Sequence, residues 1–256
     1  MSEYYDAMIT LLEFMWGKGF MAPGGEGNVA KQVDGLDLKG KRVLDIGCGL
    51  GGPDYLLAGK YGARVTGIDL EEHLVRRAIE GAAEFGLLDK TEFLVVDAGP
   101  LDFPDATFDV VLSSGAFTQI AEKQMMFREC LRVLRPGGAL TSYDWMKSEG
   151  EYSDDMLYFF EMEGLTYAMD TIENHRKILE EVGFEEIGLT DASDWYRQHV
   201  RREYQQLVGE LNPEVVRLIG QDNTDHFVED WRAMMVVCEK GEMKQVYLRA
   251  RKPNRE

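Results

Sequence analysis

Val43-Leu-Asp-Ile-Gly-Cys-Gly-Leu-Gly-Gly52 decides how this chain of 256 residues folds. Residues 42–46 read as a short buried strand, and Gly47, Gly49 and Gly52 follow it in a GxGxxG pattern. Glycine permits a tight turn and a close approach of backbone to ligand, and a helix after the turn presents unpaired N–H groups. Dinucleotide-binding proteins share the pattern, so by itself it leaves the ligand open.

Outward from this turn, strands and helices alternate. A helix is expected over 53–61, then a strand over 64–68 that ends at Asp69. Residues 72–85 carry apolar side chains at helical spacing. A third strand over 91–96 ends at Asp97, and a fourth covers 108–113. A helix over 124–134 stops at Pro136-Gly137-Gly138, and 139–143 is the fifth strand. Such alternation implies a doubly wound α/β fold with a mostly parallel sheet covered on both faces. The last third departs from it, with helices expected over 154–167, 171–182, 196–208, 213–219 and 225–238 and strands over 185–190 and 245–250. The stretch from about 195 to 239 is too long for a simple connection and reads as a helical lid over the carboxyl edge of the sheet. Ahead of the first strand lie a helix over 8–20, the turn cluster Ala22-Pro-Gly-Gly-Glu-Gly27 and a short helix over 29–33. One domain is expected over 1–256. It comprises a cap (1–30), a cofactor-binding core (31–145) and a remainder (146–256) holding the lid.

Composition narrows the function. Hydrophobic residues make up 45% of the chain and charged residues 29%, enough for a packed core. The formal net charge of -18 repels phosphate backbones and anionic lipid heads, so neither nucleic acid nor membrane is an expected partner. Cys48, Cys130 and Cys238 form no short-range pair, and the four histidines are scattered. Neither a disulfide framework nor a metal site is expected, and a reducing cytoplasm fits best. No basic-then-apolar leader opens the sequence and no run approaches membrane-spanning length.

Four features accompany the glycines: Asp45 two residues before the first of them, Asp69 ending the second strand, Asp97-Ala98 ending the third, and Leu134-Arg-Pro-Gly-Gly138 before the fifth. Over residues 41–145 this set resembles class I S-adenosylmethionine-dependent methyltransferases. The resemblance implies a seven-stranded Rossmann-like sheet with an antiparallel last strand. It implies a cofactor site of Asp45, Gly47, Cys48, Gly49, Gly51, Asp69, Leu70, Asp97, Ala98 and Ser114. Asp69 would take the ribose hydroxyls, Asp97 the adenine, and Asp45 the methionyl ammonium, directly or through water.

Phe14-Met-Trp-Gly-Lys-Gly-Phe-Met-Ala-Pro-Gly-Gly25 and the run from Trp231 to Pro253 resemble phosphoethanolamine N-methyltransferases. Asp144-Trp-Met-Lys-Ser-Glu-Gly150 and the lid are similar to sarcosine/dimethylglycine N-methyltransferases. Against those families, the proton-handling Tyr and His become Leu12 and Gln119, and the Asp near the substrate amine becomes Gly115. The phosphate-binding Tyr, Arg and Lys become Trp145, Gly164 or Leu165, and Met234. What remains is aromatic, supplemented by thirteen methionines. Trp16, Phe20, Phe117, Gln119, Tyr143, Trp145, Phe160, Tyr167 and Trp195 are therefore the candidate substrate wall, since aromatic faces attract amines. Tyr143, Trp145 and the carboxylate of Asp144 are the candidates for contact at the reacting group. The expected activity is methyl transfer to a small non-phosphorylated acceptor, an amine ahead of sulfur, oxygen or carbon. For a phenol acceptor, His175, His199 and His226 are available as bases, whereas His73 is expected to face solvent. A cofactor-binding regulatory protein without catalysis is the second reading. Oligomeric state is not legible.

Overall fold

The computed structural model describes residues 4–97 and 99–254. Seven strands form one sheet in the order β3-β2-β1-β4-β5-β7-β6. They are β1 (Arg42–Ile46), β2 (Arg64–Asp69), β3 (Thr91–Val95), β4 (Phe108–Ser114), β5 (Leu134–Lys147), β6 (Glu185–Asp191) and β7 (Met243–Arg251). The first five run parallel, and β7 lies antiparallel between β5 and β6. Val43, Leu44, Asp45 and Ile46 are all buried, because β1 is central and covered on both faces. Strand order reverses between β1 and β4, and the crevice beyond their carboxyl ends is where such sheets bind ligands.

Helices cover both faces. Among those described are α1 (Asp6–Trp16), α2 (Gly25–Gln32), α3 (Gly52–Gly59), α4 (Glu72–Glu84) and α5 (Lys123–Val133). They are followed by α6 (Asp154–Glu163), α7 (Ile172–Val182), α8 (Ser193–Val208), α9 (Asn212–Ile219) and α10 (Gln221–Glu239). In α4, Leu74, Val75, Ala78 and Ala82 are buried at helical spacing, an apolar stripe against the sheet. Ser153 caps α6 by accepting from Met156 N at 3.2 Å, and Gly164 ends it in the left-handed region.

The largest departure from the sequence reading is β5. The helix expected to reach 134 ends at Val133, and the strand expected over 139–143 spans Leu134–Lys147. The reason is tertiary: β7 offers an antiparallel partner to every residue from Ala139 to Lys147. Gly137 N donates to Lys252 O and Lys252 N to Gly138 O, which carries the pairing through the Pro-Gly-Gly turn. α6 also stops short of the expected 167, at Glu163, because Gly164 takes a positive φ.

α1, α6, α8, α9 and α10 pack into one apolar cluster that includes Met8, Leu12, Phe159, Tyr196, Trp231 and Met234. Each such side chain, fully buried, stabilises the fold by about 1.5–3 kcal/mol. This cluster sits against the carboxyl ends of β4 and β5 and closes the crevice on one side.

Candidate active site

Asp69, the last residue of β2, organises the glycine turn. Its Oδ2 accepts from Gly49 N at 2.8 Å and its Oδ1 from Glu71 N at 3.0 Å. Burial raises its pKa, and the two N–H donors pull it back. Gly47 N and Cys48 N both donate to Ile68 O, at 2.8 and 3.0 Å, which fastens the turn to β2. Gly47 needs to be glycine: its φ is +74° and a Cβ would fall 2.3 Å from that of Ala116.

A continuous cavity of about 480 Å³ opens from this turn. One lobe is lined by Gly47, Gly49, Asp69, Leu70, Asp97 and Ser114. Ser114 Oγ donates to Gln32 Oε1 at 2.9 Å. The other lobe lies between the strand ends and the helices, walled by Trp16, Gln119, Tyr143, Trp145 and Tyr167. Leu12, Gly115, Leu165 and Met234 line it as well. The structure thus gathers eleven of the candidate residues around one space. Ala98 lies outside the described residues.

Other candidates face elsewhere. Asp45 is buried beneath the turn beside Asp54, and neither carboxyl receives a donor among the described residues. Burial raises Asp45 to about 7 and pushes Asp54 well up, so the pair retains a proton near neutrality. Asp45 therefore does not reach the cavity wall. Cys48 is buried over the same pair, which together with burial pushes its thiol well up. Gly51 is the left-handed cap of α3 and abuts the Tyr55 ring. Asp144 is corrected by the pleat: Tyr143 and Trp145 face the cavity, so the residue between them points to the opposite face of β5. There its Oδ1 accepts from Thr118 N at 3.2 Å, and burial raises it to about 6 against the pull of Ser142, Thr118 and Lys123.

Four aromatic candidates also lie off the wall. Phe117 is buried edge-on to Phe127 at 5.1 Å. Phe160 packs behind Tyr167 at 4.8 Å and against Tyr152 at 5.0 Å. Phe20 packs beside the glycine-turn core. Trp195 stacks on His199 at 4.7 Å, with Lys31 Nζ 4.5 Å from its ring centroid. Within the expected lid only α10 lines the cavity, and α8 and α9 support it from behind. His73 is half-buried rather than turned to solvent, with Nε2 3.0 Å from Tyr4 O. His175 is buried against Phe127, and burial lowers its pKa to about 3.

Residues unforeseen from the sequence complete the wall: Glu163, Phe227, Asp230 and Trp231. Glu203 sits behind it, accepting from Trp16 Nε1 at 2.6 Å and Trp231 Nε1 at 3.1 Å. His199 Nε2 lies 2.9 Å from the same carboxylate. Two indoles are thereby fixed in orientation by one buried acid. A signal for the acid pair existed. Glu163 is a negative residue at a helix C-terminus, where the dipole disfavours it. Asp230 falls on the face of α10 that carries Phe227 and Met234.

The family described as Methyltransferase domain matches residues 43–138, which span β1 to the Pro-Gly-Gly turn of β5. Residues 43–138 therefore form a methyltransferase domain. Phosphoethanolamine N-methyltransferase of Triticum aestivum is 32% identical over 243 residues, covering 94% of this chain and 47% of the relative. The chain spans about half the length of the curated relatives it matches first. Two solved structures share the fold. Phosphoethanolamine N-methyltransferase 2 of Haemonchus contortus, in complex with phosphomonomethylethanolamine and S-adenosylhomocysteine, has a TM-score of 0.90 at 23% identity, covering 98% of this chain and 59% of that one. A putative sarcosine dimethylglycine methyltransferase from Galdieria sulphuraria has a TM-score of 0.82 at 18% identity, covering 99% and 100%. No helix among the described residues is long and apolar enough to cross a membrane.

Proposed function

We propose that this chain transfers a methyl group from S-adenosylmethionine to a small, non-phosphorylated acceptor, an amine ahead of sulfur, oxygen or carbon. The observation that carries this reading is the single cavity joining the Asp69 lobe to the aromatic lobe. The first lobe fits the cofactor. Asp69 retains acceptor capacity for ribose hydroxyls beyond its bonds to Gly49 and Glu71, and Gly47 and Gly49 keep the turn free of side chains. Asp97 stands where an adenine amino group would reach it, and Leu70 offers an apolar surface beside the ribose. Asp45, paired with Asp54 beneath the turn, supports the turn from below rather than touching the ligand. The bound cofactor supplies a methyl group already activated on a sulfonium. The protein needs to orient the acceptor toward it and exclude water.

Residues 1–256 act as one methyltransferase unit in this reading: 31–145 hold the cofactor, and 1–30 with 146–256 hold the acceptor. Three buried thiols suit a reducing cytoplasm. The segments 8–25 and 195–239 serve as the cover that methyl transfer requires. Amide hydrogen exchange in both is expected to slow when S-adenosylhomocysteine and acceptor are present together, most strongly in α10. Unchanged exchange in both segments would remove the lid.

Phosphoethanolamine is disfavoured despite the relatives' names. A buried phosphate needs cationic donors. Trp145, Leu165 and Met234 stand at the positions compared above, and no Lys, Arg or His is among the described residues lining the cavity. In a radiolabelled methyl-transfer assay, phosphoethanolamine is expected to turn over far more slowly than a non-phosphorylated amine. Comparable rates would overturn this part of the reading.

A further inference from the structure

We propose that Glu163 and Asp230 form an anionic subsite that holds an ammonium group of the acceptor. This rests on the methyl-transfer reading and names the acceptor's chemistry within it.

The two carboxyls come from different helices, α6 and α10, and meet at the wall of the aromatic lobe. Asp230 is only 2% exposed, and what exposure the wall leaves is toward the cavity. Glu163 Oε2 and Asp230 Oδ1 are buried with no donor in hydrogen-bond geometry among the described residues, the two carboxyls facing each other and the Tyr167 hydroxyl. A buried carboxylate left without a donor is costly, and a structure keeps one where a ligand completes it. Three other acids of this region have donors, although Asp144 Oδ2 lacks one and faces away from the cavity. Glu203 takes two indole N–H groups, Asp144 takes Thr118 N near Lys123, and Asp69 takes two backbone N–H groups. Asp45 and Asp54 are also without donors, but they are enclosed beneath the glycine turn and do not line the cavity.

Charge and shape agree on the ligand. No Lys, Arg or His among the described lining residues neutralises the pair. Burial raises Glu163 to about 7 and pushes Asp230 well up. Two adjacent carboxyls then hold one to two protons and carry at most one negative charge between them near neutral pH, a charge that one ammonium group matches. Tyr5 and Tyr167 face the pair, and both phenols are themselves raised by burial and by it, so they stay protonated. Phe227, Trp231, Tyr167 and Trp145 surround the space. The Trp231 N–H is held by Glu203, so what that ring offers the cavity is carbon. Carboxylate behind, aromatic faces around and no cation within is the arrangement that selects a positively charged nitrogen and rejects a phosphate.

The test is calorimetric titration of the protein saturated with S-adenosylhomocysteine. The probes are tetramethylammonium, choline and 1,4-diaminobutane, against 3,3-dimethylbutan-1-ol (the uncharged carbon isostere of choline) and phosphocholine. At least one of the three cations is expected to bind ten times or more tighter than both the isostere and phosphocholine. Asp230→Asn and Glu163→Gln should each weaken that cation tenfold or more while leaving affinity for S-adenosylhomocysteine unchanged. Equal binding of cation and isostere, binding of none of the three cations, or unaltered cation affinity in both variants would overturn the inference. Should a variant lose S-adenosylhomocysteine as well, the cation-to-isostere ratio in the parent decides alone. Failure of the parent to bind S-adenosylhomocysteine would instead overturn the methyl-transfer reading, and this inference with it.

Discussion

Asp69→Ala is expected to weaken S-adenosylhomocysteine binding by about 1–3 kcal/mol, roughly five- to 150-fold. Two losses combine. The ribose hydroxyls lose a charged acceptor. The glycine turn also loses the carboxylate that receives Gly49 N and Glu71 N, so the loop that should meet the cofactor is less well held. Asp69→Asn separates these contributions, because its amide oxygen can still accept one of the backbone N–H groups. Calorimetry on the parent and the two variants should order them parent, Asn, Ala. Equal affinity of Ala and parent would remove Asp69 from the site. Preferential binding of NAD to the parent would overturn the cofactor assignment itself.

The ligand-free protein is expected to lose stability as pH rises from about 5 to 8.5. Asp45 and Glu163 are both raised by burial to about 7, and Asp144 to about 6. Asp54 and Asp230 are pushed up further by burial and by their carboxyl partners. For each group the folded protein holds a proton that the unfolded chain has released. The stabilisation is complete below the unfolded carboxyl range, near 4, and is lost as pH rises through 6 to 7. His175 acts in the opposite sense: it is buried neutral and lowered to about 3, so it adds stability as pH rises between about 3 and 6.5. Five carboxyls outweigh one imidazole, which sets the expected maximum near pH 4, at the unfolded carboxyl range. The decline toward pH 8.5 should amount to a few kcal/mol in sum, since each tenfold difference in proton affinity between folded and unfolded chain is worth about 1.4 kcal/mol. Urea unfolding across this range measures it, and the double variant Asp45→Asn/Asp230→Asn should flatten the curve. A stability that stays level or climbs between pH 6 and 8 would contradict the buried pairs.

Both predictions rest on residues of unequal visibility in the sequence. Asp69 was legible because its position is local: a carboxylate ending the second strand, about one helix-and-strand beyond the glycine turn, has few other roles. Tyr143 and Trp145 were legible for a similar reason, since they end a central strand at the ligand-binding edge. Asp144 was misplaced although the two-residue period of a strand sends it to the other face. Asp45 was assigned to the ligand because spacing does not reveal that Asp54, nine residues on, meets it underneath the turn.

Each acid of the pair was out of place locally, but that the two meet was invisible for a different reason. Glu163 and Asp230 stand 67 positions apart, on helices whose docking depends on how α6, α8 and α10 share one apolar cluster. Phe117, Phe160 and Trp195 show the converse. Aromatic residues near the mouth are interchangeable in a list, and only packing decides which one turns a face to the cavity and which fills the space behind it.

By itself the sequence determined the periodic and local features: the order of strands and helices, the glycine turn, and the carboxylates at the ends of β2 and β3. These follow from backbone sterics and hydrophobic spacing over a few residues, which neighbours in the chain specify alone. Only the tertiary structure decided the length of β5, the burial of Asp45 against Asp54, and the meeting of Glu163 with Asp230. Each depends on a partner distant in the chain, and the energy of a side chain's surroundings is set by that partner rather than by its neighbours in sequence.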